Sequence, residues 1–336
     1  MHAVIRAIEY HLPDRVLTNS ELGESFPDWG IEKIAAKTGI IERRLAGSRE
    51  CASDLAVAAA QKLFASGACR PEEVDFLLFC TQSPDYFLPT TACILQGRLG
   101  LPTGAGALDF NLGCSGFVYG LSLAKGLIET GQATRVLLLT GETYSKFLRP
   151  DDRGTRPIFG DAGAATLIEA RVDAPPGDLP WIGPFVFGTD GGGMKNLIVS
   201  GGAMRRGDGG EDQPTSGHPG HLHMNGPEIF AFTLRAVPRA VDDLLAKAGR
   251  TIDDIDLFVF HQANRHMLEH LREKTGIPRE KFVLALSHCG NTVSSTIPIA
   301  LKDASEQGLL APGTLVMLVG FGVGYSWGAT LARTMI

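Results

Sequence analysis

The chain repeats itself. PEEVDFLLFCTQSP at 71–84 is echoed by TIDDIDLFVFHQAN at 251–264, and RVLLLTGE from Arg135 is echoed at nearly the same offset by LVMLVGFG from Leu315. Echoes in the same order and at nearly the same offset mark two related halves, a feature to be read before any element is assigned. Within each copy, apolar runs such as Phe76 to Phe79, Val136 to Leu139, Leu257 to Phe260 and Leu315 to Leu318 read as strands buried on both faces. Ala- and Leu-rich stretches such as Ala52 to Leu63, Phe117 to Ile128 and Pro227 to Ala248 read as the helices between them. Strands alternating with helices predict α/β layers. The expected division is a first half over residues 1–170, a loop-rich connection over 171–220 marked by DAPPGDLP and GGAMRRGDGGEDQPTSGHPG, and a second half over 221–336.

Composition excludes several function classes. No apolar run approaches the roughly 20 residues of a membrane-spanning helix, and MHAVIRAIEYHLPDR has no secretory pattern, so a soluble cytoplasmic protein without membrane partners is expected. A net charge of -6 offers no bulk attraction for nucleic acid. The six cysteines include no CxxC pair, which predicts neither a disulfide framework nor a zinc site. His218, His221 and His223 fall among Gly, Pro, Asp and Ser without a fourth ligand, so no metal is expected there.

Three residues stand where chemistry is done. Cys114, in DFNLGCSGFVYG, opens a helix that is apolar nearly all round, between Gly113 and Gly116. A thiol at a helix N-terminus is expected to have a depressed pKa, although a lone cysteine there is more often a core residue. His261 follows LFVF at the carboxyl end of a strand, where open α/β sheets place ligands, or is a structural histidine. Asn291 follows FVLAL and the turn SHCG, where its bland role is a helix cap. In GFGVGYSWGA the backbone at Gly322, Val323 and Gly324 can turn sharply and aim N–H groups at an oxyanion. FGDAGAATLIE, with a buried Asp161, reads as close packing without chemistry.

Together these motifs resemble the beta-ketoacyl-[acyl-carrier-protein] synthase III family of the thiolase superfamily, over almost the whole chain. KTGIIERR at 37–44, LPTTACILQGRLG at 88–100, DDRGTRPIFGDAGAA at 151–165, HQAN from His261, GNT from Gly290 and GFGVGYSWG occur in the family's order. The resemblance implies two pseudo-symmetric βαβαβαββ halves in a five-layered α/β/α/β/α thiolase-like sandwich, and a homodimer. It puts the nucleophile on Cys114, its partners on His261 and Asn291, a coenzyme A contact on Arg153, and carrier-protein docking on Gln262, Ala263, Asn264, Arg265 and His266. The family's adenine-stacking tryptophan and its arginine fall on Lys33 and Lys37, with Trp29 one helical turn earlier as a substitute. Leu88 falls where a bulky aromatic residue shortens the acyl tunnel. The implied reaction is a decarboxylating condensation of an acyl-CoA primer with malonyl-acyl-carrier protein, with no cofactor beyond the coenzyme A thioester substrate. The alternative is a non-condensing acyltransferase that passes the acyl group from Cys114 to an alcohol or amine. Cys289 is a weak candidate for the second cysteine of thiolases proper.

Overall fold

The computed structural model describes residues 1–28, 30–175, 177–205 and 218–335. In chain order the elements are β1 (His2–His11), β2 (Arg15–Thr18), α1 (Asn19–Ser25), α2 (Ile31–Thr38), β3 (Glu42–Leu45), α3 (Ala52–Ala65), β4 (Phe76–Cys80), α4 (Thr91–Arg98), β5 (Gly106–Phe110), α5 (Gly116–Glu129), β6 (Arg135–Glu142) and β7 (Ala162–Arg171). There follow β8 (Ile182–Thr189), β9 (Leu197–Val199), β10 (Leu222–Met224), α6 (Gly226–Ala248), β11 (Leu257–Phe260), α7 (Arg265–Thr275), α8 (Thr296–Glu306), β12 (Leu315–Gly322) and β13 (Ser326–Arg333).

The first sheet runs β1-β7-β6-β4-β5 and the second β8-β13-β12-β11. In both, a parallel pair (β4 with β6, β11 with β12) is followed by antiparallel partners, so the repeat in the sequence becomes a repeat in topology: β4 corresponds to β11 and β6 to β12. These strands are continuous apolar runs because helices cover both of their faces. Helices α3 and α4 cover the outer face of the first sheet, α5 and α8 lie between the sheets and touch both, and α6 covers the outer face of the second with α7 packed beside it. This is the five-layered α/β/α/β/α sandwich. Where the second half would place a counterpart of β5, Phe282 makes only an isolated parallel bridge to Phe258.

Local chemistry sets the helix limits. The Asn225 side chain caps α6 by accepting from the Glu228 N–H, Pro227 occupies its first turn, and Gly249 ends it at a φ of 61°. Not all of 171–220 is loop, since β8 and β9 form inside it. The Gly and Pro that suggest a loop there have other work: Pro184 sits on an edge strand, where a missing N–H is tolerated, and a Cβ at Gly188 would come within 2.0 Å of the Trp327 ring. No described helix is long and apolar enough to cross a membrane.

Candidate active site

Carboxyl-terminal strand ends from both halves converge on one cavity of about 830 Å³. Cys114, His261, Asn291, Phe321 and Gly322 line its buried part, while the exposed side chains of Lys33, Lys37, Arg153 and His266 line its opening. The sequence candidates for nucleophile, histidine and asparagine are therefore brought together, though 147 and more residues separate Cys114 from the other two in the chain.

Cys114 lies between β5 and α5, 7% exposed. Glycines on the opposing strand make room for it: a Cβ at Gly322 would stand 2.9 Å from its sulfur, and one at Gly320 would stand 2.7 Å from its carbonyl oxygen. Backbone N–H groups of Cys114 itself and of Val323 are directed at Sγ and favour the thiolate, as the sequence suggests. Burial outweighs them. Desolvation, helped by the nearby Glu142 carboxyl, pushes the thiol up to about 12, so the expected depression of its pKa does not hold. The sign follows directly: a group whose charged form is penalised stays neutral below that value. Alkylation of Cys114 by iodoacetamide, followed by peptide mass, should rise about tenfold per pH unit up to about pH 10. A plateau from about pH 8 would show that a thiolate is already present in the resting site.

His261 follows β11, and its backbone N–H donates to the Val319 carbonyl at 2.8 Å. Its Nδ1 lies 2.7 Å from Thr296 Oγ1, and the Thr296 hydroxyl reaches the Val293 carbonyl at 2.9 Å. That leaves Nε2 for the cavity. With the Thr296 proton on Val293, Nδ1 carries the ring hydrogen and Nε2 accepts; with it turned toward Nδ1, Nε2 donates. Burial pulls the imidazole down to about 3, so the ring is neutral. Phe321 meets it edge-on, with ring centres 5.4 Å apart.

Asn291 is not the cap of α8: the residue before that helix is Ser295, which makes no side-chain capping bond. Its backbone is fixed to the first half, the N–H donating to Ile158 at 2.9 Å and the carbonyl accepting from Gly160 at 3.0 Å. Its Oδ1 accepts from the Val293 N–H at 2.9 Å, which settles the amide's orientation and leaves Nδ2 as a donor for the cavity.

Other candidates fare unevenly. Trp29 lies outside the described residues. Arg153 stands 3.8 Å from the Asp28 carboxylate and over the Phe26 ring at 5.5 Å. Of the segment expected to dock a carrier, Gln262 is not at the surface: it is buried, and its amide bonds Phe260, Val283 and Ala285 backbone groups. Ala263 is buried in the cavity wall, and Asn264 caps α7 through the Met267 N–H. Arg265 and His266 are exposed. Leu88 does not line the cavity of its own chain; it is 83% exposed, beside the exposed Tyr86 and Phe87.

Comparison with known proteins follows the same lines. Residues 108–191 match the family described as 3-oxoacyl-[acyl-carrier-protein (ACP)] synthase III, and residues 245–334 match its C-terminal counterpart. A relative from Streptomyces coelicolor, beta-ketoacyl-[acyl-carrier-protein] synthase III 3, is 38% identical over 97% of this chain and 96% of its own. The chain belongs to the beta-ketoacyl-[acyl-carrier-protein] synthase III family. A crystal structure of a 3-oxoacyl-(acyl-carrier-protein) synthase III superposes with a TM-score of 0.94 at 56% identity, covering 99% of this chain and 100% of that one. The corresponding synthase from Burkholderia xenovorans gives 0.93 at 38% identity, covering 99% and 94%. This synthase III family member is thus a condensing acyltransferase with the thiolase fold. Cys289 takes no place in its cavity: it is buried in a satellite cluster with Ala162 and Ile299, and burial raises its thiol far above the ordinary range.

Sequence reasoning missed two residues behind the site, Thr296 and Glu142. Glu142 ends β6 as its counterpart in the repeat, the cavity-lining Gly322, ends β12, and that correspondence was the available signal. It is fully buried, and burial pushes its carboxyl up to about 8.

Proposed function

We propose that the chain joins an acyl-CoA primer to malonyl-acyl-carrier protein by decarboxylating Claisen condensation, giving a 3-oxoacyl-carrier protein that initiates a fatty-acid or related acyl chain. The observation that carries this reading is the meeting of Cys114, His261 and Asn291 in one cavity with a cationic opening. In the first half-reaction the Cys114 sulfur attacks the primer's thioester carbon. The thiol proton passes through His261 Nε2 to the departing coenzyme A sulfur, and the N–H groups of Cys114 and Val323 hold the oxyanion. In the second, Asn291 Nδ2 and His261 Nε2 donate to the malonyl thioester oxygen. The carbon–carboxylate bond breaks, carbon dioxide leaves, and the enolate carbon attacks the acyl-enzyme carbonyl, releasing the Cys114 thiolate, which takes up a proton from solvent to restore the thiol. Arg153, Lys33 and Lys37 suit phosphates at the opening, and Arg265 and His266 offer the exposed face to an acidic carrier protein.

The chain acts as a homodimer in this reading. β5 is an uncovered edge of the first sheet, and Tyr86, Phe87 and Leu88 form an exposed apolar loop that a second copy would cover. Leu88 then bounds the acyl tunnel of the partner subunit. Each buried methylene contributes about 0.8 kcal/mol where space exists, so a leucine there favours primers longer than acetyl. The test is an acyl-CoA series with malonyl-carrier protein, read by product mass. 3-Oxoacyl products should form, longer primers should lead, and Leu88→Phe should shift preference toward acetyl. No 3-oxoacyl product from any primer would refute the reaction; acetyl preferred and unaffected by Leu88→Phe would refute the tunnel assignment.

A further inference from the structure

Two buried carboxyl groups lie behind the cavity, and the proposed reaction uses neither. Asp161 accepts from the Ala46 N–H at 2.7 Å and the Ser145 N–H at 2.9 Å, all within the first half. Glu142 is different, because its partners come from both halves. From the first, the Gln82 N–H stands 3.2 and 3.1 Å from its two oxygens and the Ser83 hydroxyl 3.1 Å away. From the second, the Ser294 hydroxyl donates to Oε1 at 3.0 Å.

What Ser294 belongs to gives the contact its meaning. It sits in the 3-10 turn Val293–Ser295, between the residue whose N–H orients the Asn291 amide and the residue that contacts His261 Nδ1. Val293 holds a φ of 57°, a left-handed conformation that a β-branched residue keeps only when its surroundings impose it. Two contacts to β6 impose it here: Ser294 to Glu142, and Ser295 to Thr140 at 2.7 Å. On the other side Gln82 accepts from the Tyr144 hydroxyl at 2.6 Å and packs against Gly113, the neighbour of Cys114.

We propose that Glu142 is a positioning residue for condensation: through Ser294 it fixes the turn that aims Asn291 relative to the half that carries Cys114. This rests on the reading that Asn291 and His261 serve carbon dioxide release. A turn free to relax misplaces the Asn291 donor, while the thiol, held by α5 and the Gly322 strand, keeps its surroundings.

The decisive variant is Ser294→Ala, which removes one hydroxyl and little volume. Acyl-enzyme formation, followed by intact mass with acyl-CoA, should stay near wild type, and carbon dioxide release from malonyl-carrier protein should fall by about 10- to 100-fold. Ser294→Ala combined with Asn291→Ala should be no slower than Asn291→Ala alone, since both changes act on one donor. Glu142→Gln, which keeps the side chain's volume, should show the same split between half-reactions. Parallel loss of both half-reactions, additive losses in the double variant, or unchanged carbon dioxide release would overturn the proposal. The underlying reading fails separately, if Asn291→Ala releases carbon dioxide at the wild-type rate.

Discussion

Cys114→Ala should leave no acyl adduct on the protein after incubation with acyl-CoA, whereas Cys289→Ala should load as the wild type does. Cys114 alone among the cysteines lines the cavity, and it has two backbone N–H groups directed at its sulfur. Cys289 faces the Ala285 and Gly290 carbonyls inside a closed apolar cluster. Cys93 is exposed and Cys51 partly so, which makes them reachable by reagents but not by a thioester held in the cavity. Losing the nucleophile of a covalent mechanism costs on the order of 10⁶ in rate where it has been measured, so overall turnover should vanish with the adduct. Intact-mass spectrometry reads both variants directly, and an adduct surviving on Cys114→Ala would end the assignment.

His261→Ala and Asn291→Ala should separate the two half-reactions. Removing one well-placed oxyanion donor costs about 100- to 1,000-fold, so carbon dioxide release from malonyl-carrier protein should drop by that factor in either variant. Asn291→Ala should keep the acyl-enzyme, because its amide takes no part in the attack on the primer. His261→Ala should keep it too, formed more slowly at neutral pH through loss of the proton relay at Nε2. Cys114→Ala should do the reverse and retain slow uncoupled decarboxylation, its enolate site being intact. The same assay decides against the alternative chemistry. Wild-type protein that loads an acyl group, releases no carbon dioxide, and acylates an alcohol or amine would be a simple acyltransferase.

What could be read in the sequence was whatever depends on neighbours along the chain. The echo of 71–84 in 251–264 became the correspondence of β4 with β11, and Cys114 and His261 were found because each closes or follows an apolar run at a strand end. What escaped depends on neighbours in space. The protonation of Cys114 is decided by burial under a strand two hundred residues away rather than by its own helix. Gln262 sits one residue after His261 yet faces the interior, because the backbone that turns after β11 carries its amide to the Val283 and Ala285 backbone. Glu142 gave no sign of its direction, since a carboxyl group ending a strand reads equally well as a solvated terminus.

The seam between the halves has a consequence for how the molecule is lost as well as how it works. Ser115 is bonded to Ser326, Thr140 to Ser295 and Glu142 to Ser294, and the central apolar layer draws Leu78, Phe117 and Val136 from one half and Ile297, Val316 and Leu318 from the other. The cluster beneath α3 and α4 belongs to the first half alone, but this inner layer is shared, so each half depends on the other to bury its inner face. Proteolytic nicking that frees one half strips the other of its inner layer. A chain that has shed one half should therefore keep no activity, since the site takes Cys114 from one half and His261 and Asn291 from the other.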